Sequence, residues 1–253
     1  MDNETIFPSE SEFNDSLSLI FGENSISHFL NDKSRNLFFR FTKMLWNTNK
    51  ELNLTAVTDA SDMILKHLAD SLLIAPYLSE GACVIDVGCG GGFPTFPLAI
   101  ARPDLRITAL DSTEKKIGFV RNAASALGLS NVTAICGRAE ELAKGDMRES
   151  FDHATARAVA ALPILCELCL PFVKVGGSFV AMKSLRIDEE LAATEKKNLF
   201  ALLGGVKSPT IHSPKLTGNG RELFRSIAVT EKISHTPAAY PRTYAQILKS
   251  NKK

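Results

Sequence analysis

Long apolar runs are missing from this chain of 253 residues, and so is the basic start of a secretory signal. No stretch approaches the roughly 20 consecutive apolar residues that a membrane-spanning helix needs. The first four residues, Met-Asp-Asn-Glu, lack the positive charge and apolar core of a signal peptide. With 45% hydrophobic and 23% charged residues, the composition is typical of a globular protein, which we expect to be cytoplasmic and free of membranes.

Cysteine is scarce and odd in number, with five residues that lie mostly inside apolar segments. This usage indicates reduced, buried thiols in a reducing compartment. Cys166 and Cys169 form a Cys-x-x-Cys pair, but the second pair that would complete a tetrahedral zinc site is missing. We therefore expect no metal centre and interpret this pair as core packing.

Charge is unevenly distributed along the chain, although the formal net charge is only +1. The first thirty residues contain no Lys or Arg, and no Asp or Glu follows Glu231. Residues 232–253 therefore form a predicted basic C-terminal tail. Such a tail is weak evidence for a polyanionic partner, and it is equally typical of a solvated terminus.

The hydrophobic pattern divides the rest of the chain into an N-terminal helical arm and cap at 1–80 and a core at 81–231. Residues 1–32 are weakly patterned and predict a frayed or loosely packed helical arm. Helices are predicted over 36–51 and 63–78, because apolar residues recur there every three or four positions.

Strands alternate with helices from residue 82 onward. The predicted strands are 82–87, 105–110, 131–136, 151–155, 177–182 and 223–229. The predicted helices between them are 95–101, 113–127, 139–144, 159–173 and 188–202. This alternation predicts an α/β fold, in which helices cover both faces of a mostly parallel sheet. Ligands of such sheets bind at the carboxyl ends of the strands.

The first predicted strand runs into a loop with four glycines and no charge, Gly-Cys-Gly-Gly-Gly-Phe-Pro at 88–94. Glycine lets the backbone turn sharply and lets a ligand approach it closely. A nicotinamide-binding loop would carry its third glycine at position 93, which is Phe93 here. A bulky apolar side chain would crowd a pyrophosphate, but it suits a ligand without phosphate, such as S-adenosylmethionine. We therefore assign Gly88, Gly90 and Phe93 to a cofactor site.

Residues after the next three strands would complete this site. Asp111 is placed to accept both hydroxyls of a ribose, or alternatively to cap the following helix. Ala139 and Glu140 follow the third strand, where an adenine edge would lie, although Glu140 alone is typical of a first helical turn. Arg157 ends the fourth strand and is placed to meet the methionine carboxylate or a substrate phosphate, or to pair with a neighbouring acid.

In order along the chain, these motifs resemble the RsmG family (glucose-inhibited division protein B) of bacterial methyltransferases acting on 16S ribosomal RNA. The matching stretches are Asn53–Val57, His67–Leu72, Asp86–Pro94, Pro97–Ile100, Leu110–Ser112, Lys115–Lys116, Phe151–Asp152, Ala156–Ala158 and Tyr240–Arg242. Three stretches depart from the family, one of them the tail beyond Arg242, which lacks the frequent ending with Gly and Pro. Thr95-Phe96 stands where Gly and Ile are usual, and Met182-Lys183-Ser184 replaces a Lys-Gly ending.

The resemblance implies a Rossmann-like class I methyltransferase core, with a mostly parallel seven-stranded sheet and an N-terminal helical cap. It also implies S-adenosylmethionine as the donor and methylation of one guanine at N7 in 16S ribosomal RNA of the small subunit. The cofactor contacts of the family fall on Gly88, Phe93, Ala139, Glu140 and Arg157. Guanine N7 has a lone pair and no proton, so we expect catalysis by alignment, without a proton-transferring residue, in a monomeric enzyme.

Two other classes of function stay open: a non-catalytic RNA-binding assembly factor on the same core, and a nicotinamide-dependent dehydrogenase, which Phe93 disfavours. A small-molecule methyltransferase is a third alternative, within the enzyme class. The basic residues that are candidates for RNA contacts are Lys66, Lys115, Lys116, Arg121, Lys183, Arg186, Arg221 and Arg242. The aromatic candidates for stacking on the guanine are Phe93, Phe96 and Tyr240.

Overall fold

A sheet of seven strands forms the centre of the computed structural model, which describes residues 6–184 and 187–251. The strands of the described ranges are β1 (Cys83–Val87), β2 (Arg106–Asp111), β3 (Val132–Cys136), β4 (Phe151–Arg157), β5 (Val173–Lys183), β6 (Thr210–His212), β7 (Lys215–Gly218), β8 (Arg221–Phe224) and β9 (Ser226–Glu231). The order in the sheet is β3-β2-β1-β4-β5-β9-β6, and β7 pairs with β8 in a separate hairpin.

The strand directions confirm the predicted Rossmann-like α/β fold. Strands β1 to β5 are parallel, whereas β9 runs antiparallel to both of its neighbours. The chain builds outward from β1 to β3 and then crosses to β4 on the other side of β1. The connections therefore diverge between β1 and β4, and this switch point opens a crevice at the carboxyl ends of the strands.

Helices cover both faces of the sheet. The described helices are α1 (Glu10–Glu23), α2 (Asp32–Leu52), α3 (Ala60–Met63), a π-helix (Ile64–Ala69), α4 (Asp70–Leu72), α5 (Thr95–Ala101), α6 (Glu114–Leu127), α7 (Ala139–Leu142), α8 (Leu162–Cys169), α9 (Ile187–Lys196), α10 (Leu199–Leu202) and α11 (Tyr244–Asn251). Short 3-10 turns lie at Ser27–Phe29, Ala75–Tyr77 and Leu170–Phe172. Two buried clusters result, one under α1, α2, α5 and α6 and the other under α8 to α11.

The six predicted strands correspond to β1–β5 and to β9, although the last prediction also covered the end of β8. Strands β6 and β7 were missed, as was α11. These segments are short and carry little hydrophobic periodicity, so they depend on the neighbours against which they pack.

The N-terminal region is more ordered than the sequence predicted. A capping box starts α1, where the Ser9 hydroxyl accepts the Glu12 amide at 3.3 Å and the Glu12 carboxylate accepts the Ser9 amide at 2.9 Å. The buried side chains of α1 are Phe13, Leu17, Ile20 and Phe21. They join the same cluster as α2 and the π-helix, so the expectation of a loosely packed arm is wrong.

The predicted basic tail is folded onto the core. The ammonium of Lys232 is fully buried, donates to the Leu170 carbonyl at 2.8 Å and lies 3.3 Å from the Glu149 carboxylate. Arg242 pairs with the fully buried Glu167, with an Nη2–Oε2 distance of 2.7 Å. Acids of the core therefore neutralise these two cations, and both are held against the core rather than free in solvent. Residues 252–253 lie outside the described ranges.

Within the described ranges, no helix combines the length and apolar character needed to cross a membrane. The same residues contain no group of three or more His, Cys, Asp or Glu side chains arranged to hold a metal ion.

Replacement of Arg242 by Ala should leave the Glu167 carboxylate buried without its cationic partner. We expect the free energy of unfolding to fall by about 3–5 kcal/mol, because an uncompensated buried charge is costly. Urea denaturation of Arg242→Ala measures this loss, and the double variant with Glu167→Gln should recover part of it. A loss below about 1 kcal/mol would contradict the assignment of a buried ion pair.

Candidate functional site

The carboxylate of Asp86 fastens the glycine loop at its base. Its Oδ2 accepts the Thr95 hydroxyl at 2.6 Å and the Thr95 amide at 3.3 Å, and its Oδ1 accepts the Thr155 hydroxyl at 3.3 Å. Asp86 thus joins the end of β1 to the first turn of α5 and to β4. Thr95, one of the departures from the family pattern, contributes two of these bonds. Burial raises the pKa of Asp86 from 3.8 to about 6, against the lowering effect of the hydrogen bonds.

Two glycines of the loop are required by close packing as well as by backbone angle. Gly88 has φ of +77°, and a Cβ there would lie 2.4 Å from a methyl group of Val159. Gly92 has φ of +92°, and a Cβ there would lie 2.2 Å from the ring of Phe96. Both positions therefore exclude side chains, as expected where the backbone must stay accessible.

A cavity of about 290 Å³ opens beyond the carboxyl ends of β1, β2 and β3, and we call it the first cavity. Four of the seven predicted site residues line it: Gly88, Asp111, Ala139 and Glu140. Gly90 does not line it, but its amide donates to Asp111 Oδ2 at 3.1 Å.

Asp111 has a structural role in addition to its position in the cavity. Its Oδ2 accepts a hydrogen bond from the Gly90 amide at 3.1 Å, and its Oδ1 accepts one from the Thr113 amide at 2.9 Å. The helix α6 begins at Glu114 with Thr113 as its N-cap, so Asp111 shapes the preceding turn and does not cap the helix itself. Each carboxylate oxygen can accept a second hydrogen bond, which leaves Asp111 able to bind a ligand hydroxyl.

Glu140 is buried at the far end of the first cavity, where its Oε1 accepts Arg138 Nε at 2.9 Å. The guanidinium of Arg138 lies 4.4 Å from the centre of the Tyr244 ring. Tyr244 comes from α11 and closes this side of the cavity. Sequence reasoning missed Tyr244, because no motif connects it to a loop more than one hundred residues earlier in the chain.

The two remaining predicted residues, Phe93 and Arg157, do not line the first cavity. Arg157 lines a second cavity of about 400 Å³, which lies between the cap and the carboxyl ends of β4 and β5. Phe93 is buried beside it, with its ring centre 4.5 Å from that of His67 and 5.1 Å from the Arg157 guanidinium. Ala158 lines both cavities, so the two spaces adjoin at this residue.

A buried carboxylate, Asp70, organises the wall of the second cavity. Its Oδ2 accepts Arg157 Nη1 at 2.8 Å and its Oδ1 accepts Arg225 Nε at 2.6 Å. Arg157 also donates to the Lys66 carbonyl at 2.9 Å. The alternative of an ion pair for Arg157 is therefore observed, in a position that still faces a cavity. Arg225 was missed, because an isolated arginine before a strand carries no sequence signal.

His67 lies in the same network as a neutral side chain. Its Nε2 lies 2.6 Å from the Thr55 hydroxyl and its Nδ1 lies 3.1 Å from Arg157 Nη2. Burial and the neighbouring guanidinium lower its pKa from 6.5 to about 3. His67, at the start of one of the stretches that match the family, thus packs and forms hydrogen bonds where the cap meets the core.

The two cavities differ in charge. The charged side chains lining the second cavity are Lys66, Asp70, Arg157, Lys183, Glu190 and Arg225. Those lining the first cavity are Asp111, Lys116, Arg138 and Glu140. Because His67 is neutral, the second cavity has four cations against two carboxylates and a net charge of +2. The first cavity is balanced, so an anionic ligand is attracted to the second.

The loop that separates the cavities is held from outside by an ion pair. Lys183 Nζ donates to the Ala160 carbonyl at 2.9 Å and lies 2.6 Å from the Glu190 carboxylate. Within the loop, Ala158 has φ of +56°, a region that residues with a Cβ rarely adopt. Such backbone strain occurs often at binding sites. Lys183, which lies in the departure at Met182-Lys183-Ser184, therefore supports this loop.

Most of the predicted RNA-contacting cations have acidic partners. The pairs are Lys66–Asp62, Lys116–Asp111, Arg121–Glu114, Lys183–Glu190, Arg221–Asp62 and Arg242–Glu167. Arg186 lies outside the described residues. Phe96 is completely buried and is unable to stack on a base, so this candidate was wrong.

Comparison with solved structures identifies the class of fold. An O-methyltransferase from Bacillus cereus, in complex with SAH, superimposes with a TM-score of 0.55 over 85% of this chain and 100% of that one. The two sequences are 18% identical, so the likeness concerns the fold, which is that of the Rossmann-like methyltransferases.

The particular family is identified by sequence. The family model described as rRNA small subunit methyltransferase G (GidB) matches residues 34–217. A ribosomal RNA small subunit methyltransferase G from an Exiguobacterium species is 44% identical over 84% of this chain and 89% of its own length. The protein of that name from Clostridium beijerinckii is 41% identical, over 84% and 88%. The chain belongs to this family, which confirms the resemblance found in its motifs.

Gly88→Ala and Gly90→Ala are matched variants of the loop, because both glycines have positive φ, +77° and +54°. A Cβ at position 88 displaces Val159, whereas a Cβ at position 90 meets its nearest atom only at 4.0 Å. We expect only the Gly88 variant to weaken binding of S-adenosylmethionine, by about tenfold, since such repacking costs about 1–3 kcal/mol. Calorimetric titration measures the affinity of each variant for S-adenosylmethionine. Equal affinities of the two variants would contradict the assignment of Gly88 to the cofactor site.

Asp86 should make the folded protein less stable as the pH rises, whereas most carboxylates in folded proteins have the opposite effect. Since its pKa rises from 3.8 to about 6 on folding, the native protein binds the proton more tightly, and this stabilisation is lost as the pH rises through about 6. Asp86→Asn should remove that loss. Between pH 4 and 7, urea denaturation should show the variant gaining about 3 kcal/mol relative to the wild type.

Asp104 provides the control for this experiment, because its pKa is lowered to about 2 by Arg102. Asp104→Asn should show a difference from the wild type that stays constant between pH 4 and 7. A constant difference for Asp86→Asn as well would mean that Asp86 titrates normally in the folded protein.

Proposed function

We propose that this protein transfers the methyl group of S-adenosylmethionine to N7 of one guanine in 16S ribosomal RNA of the small subunit. We further propose that it acts in the cytoplasm, as a monomer. The observation that carries the proposal is the pair of adjoining cavities, one neutral beside the glycine loop and one with a net charge of +2 under the cap. Membership of the rRNA small subunit methyltransferase G family supports the same reaction.

The chemistry of the first cavity fits the adenosine part of S-adenosylmethionine. Gly88 lines the cavity beside Val159, and Asp111 retains acceptor capacity for the ribose hydroxyls. Ala139 and Glu140 lie at the other end, where they would meet the adenine edge. The volumes of about 290 and 400 Å³ are at the lower end of the roughly 300–1,000 Å³ of ligand pockets.

The methionine part would extend past Ala158 toward Arg157. Arg157 uses two or three of its five N–H groups on the Lys66 carbonyl, Asp70 and His67, so donors remain for a carboxylate. Phe93 would contribute by packing beneath the Arg157 guanidinium, as a support for this end of the site. Bound S-adenosylmethionine supplies an electrophilic methyl group on a sulfonium.

The second cavity would receive the target guanosine. Its positive charge suits a phosphodiester chain, whereas a neutral small molecule would gain nothing from it. No base is required at guanine N7, and His67, with a pKa of about 3 and both nitrogens engaged, is not placed to act as one.

This function gives each part of the chain a role. The cap at 1–80 supplies Lys66, His67 and Asp70 to the substrate side. The core at 81–231 supplies the cofactor loop and the strand ends. The C-terminal segment from 232 onward supplies Tyr244 to the first cavity, so we propose that it serves the cofactor site rather than forming an RNA-binding tail.

Methyl transfer from labelled S-adenosylmethionine tests the proposal directly. We expect label at N7 of a single guanine when 16S ribosomal RNA, free or in assembled small subunits, lacks the modification. Asp111→Ala should weaken cofactor binding by about 1–3 kcal/mol through lost hydrogen bonds, while Asp104→Ala, remote from both cavities, should not.

Three outcomes would contradict the proposed function. Binding of RNA and cofactor without transfer would favour a non-catalytic assembly factor. Binding of a nicotinamide dinucleotide in place of S-adenosylmethionine would favour a dehydrogenase. Transfer to a small molecule but to neither form of the RNA would favour a different methyltransferase.

A further inference from the structure

One large aromatic side chain, Phe224, is exposed close to the second cavity. It is 54% exposed, on β8, and the next residue in the chain is Arg225, which lines that cavity. The Arg225 guanidinium donates to the Phe224 carbonyl at 3.1 Å and to Asp70 at 2.6 Å. Phe224 therefore stands within one residue of the cavity wall, with its ring in water.

The sheet register places this ring at the functional edge of the fold. Strand β9 begins just after Arg225, and its first residue, Ser226, pairs with Lys183 at the carboxyl end of β5. This is the edge where both cavities open. At the other end of β9, Glu231 pairs with Ser178, and the exposed Ile233 follows it on the opposite edge of the sheet.

The backbone of the hairpin β7–β8, which carries Phe224, is fixed relative to the cap. Asn24 donates to the Thr217 carbonyl at 2.7 Å and accepts its amide at 2.8 Å. At the turn, the Ser61 hydroxyl donates to Asn219 at 2.6 Å, and Gly218 packs so closely on Leu65 that a Cβ would lie 2.9 Å from it. A platform that is ordered in advance loses little entropy on binding.

Charge identifies the partner that this platform suits. The cations of the hairpin and its exit, Lys215, Arg221 and Arg225, are paired with Glu222, Asp62 and Asp70, so the net positive charge beside the ring is that of the second cavity. A single exposed ring among charged side chains is too small an apolar area for a protein partner. It does suit an unpaired base, which stacks on the ring while the neighbouring phosphates lie toward the positively charged second cavity.

We propose that Phe224 is a stacking platform for an unpaired RNA base that neighbours the target guanine. The proposal rests on the proposed function, since it assigns a further contact to the same substrate. The ring would hold the flanking base outside the second cavity while the guanine enters it, which favours the splayed arrangement that base modification requires.

The test compares Phe224→Ala with Ile233→Ala, the loss of an exposed apolar side chain at each edge of the sheet. We expect Phe224→Ala to raise the KM for unmodified small subunits or 16S ribosomal RNA by about 5- to 150-fold, the range for loss of one stacked base. Its affinity for S-adenosylmethionine and its Tm should be unchanged. Phe224→Trp should retain the wild-type KM, and Ile233→Ala should behave as the wild type.

Other results would overturn the proposal. An unchanged KM in Phe224→Ala, with methyl transfer by the wild type intact, overturns the stacking role alone. A wild-type dimer in sedimentation that Phe224→Ala converts to monomer would assign the ring to a contact between two copies instead. Absence of transfer by the wild type overturns the proposed function and this inference together.

Discussion

The buried carboxylate of Asp70 connects three parts of the chain that are distant in sequence. It binds Arg157 at the end of β4 and Arg225 before β9, while its own backbone belongs to the cap. A carboxylate that is 5% exposed needs such partners, because burial of an unpaired charge is costly. The second cavity exists in its present form because this one group holds the cap, the sheet and the hairpin together.

The first cavity depends on a different constraint, the close approach of two loops. Gly88 and Val159 leave no space for a Cβ between them, and Ala158 takes a left-handed backbone angle to reach both cavities. Asp86 secures the glycine loop from below, and the pair of Lys183 and Glu190 secures the other loop from behind. The two cavities adjoin because these loops follow β1 and β4, the neighbours at the switch point.

Local patterns in the sequence were sufficient for much of the fold. The strands β1 to β5 are apolar segments bounded by loops, so their positions were predictable without tertiary information. The helix α1 shows where prediction from local hydrophobic patterns fails. Its buried residues Phe13, Leu17, Ile20 and Phe21 have helical spacing, yet other apolar residues, such as the exposed Leu19, obscure the pattern.

The residues of the candidate site also divide into those that the sequence predicts and those that only the tertiary structure reveals. Gly88, Asp111, Ala139 and Glu140 were predictable because each follows the end of a parallel strand, and such ends meet at one edge. What the sequence determined by itself was therefore the family, the parallel sheet and the neutral half of the site. Only the tertiary structure placed Arg157 in a second cavity with Phe93 buried beside it, brought Tyr244 to the first cavity, and brought Arg225 and Phe224 to the second. The physical reason is that ion pairs and side-chain packing between distant segments leave no periodic trace along the chain.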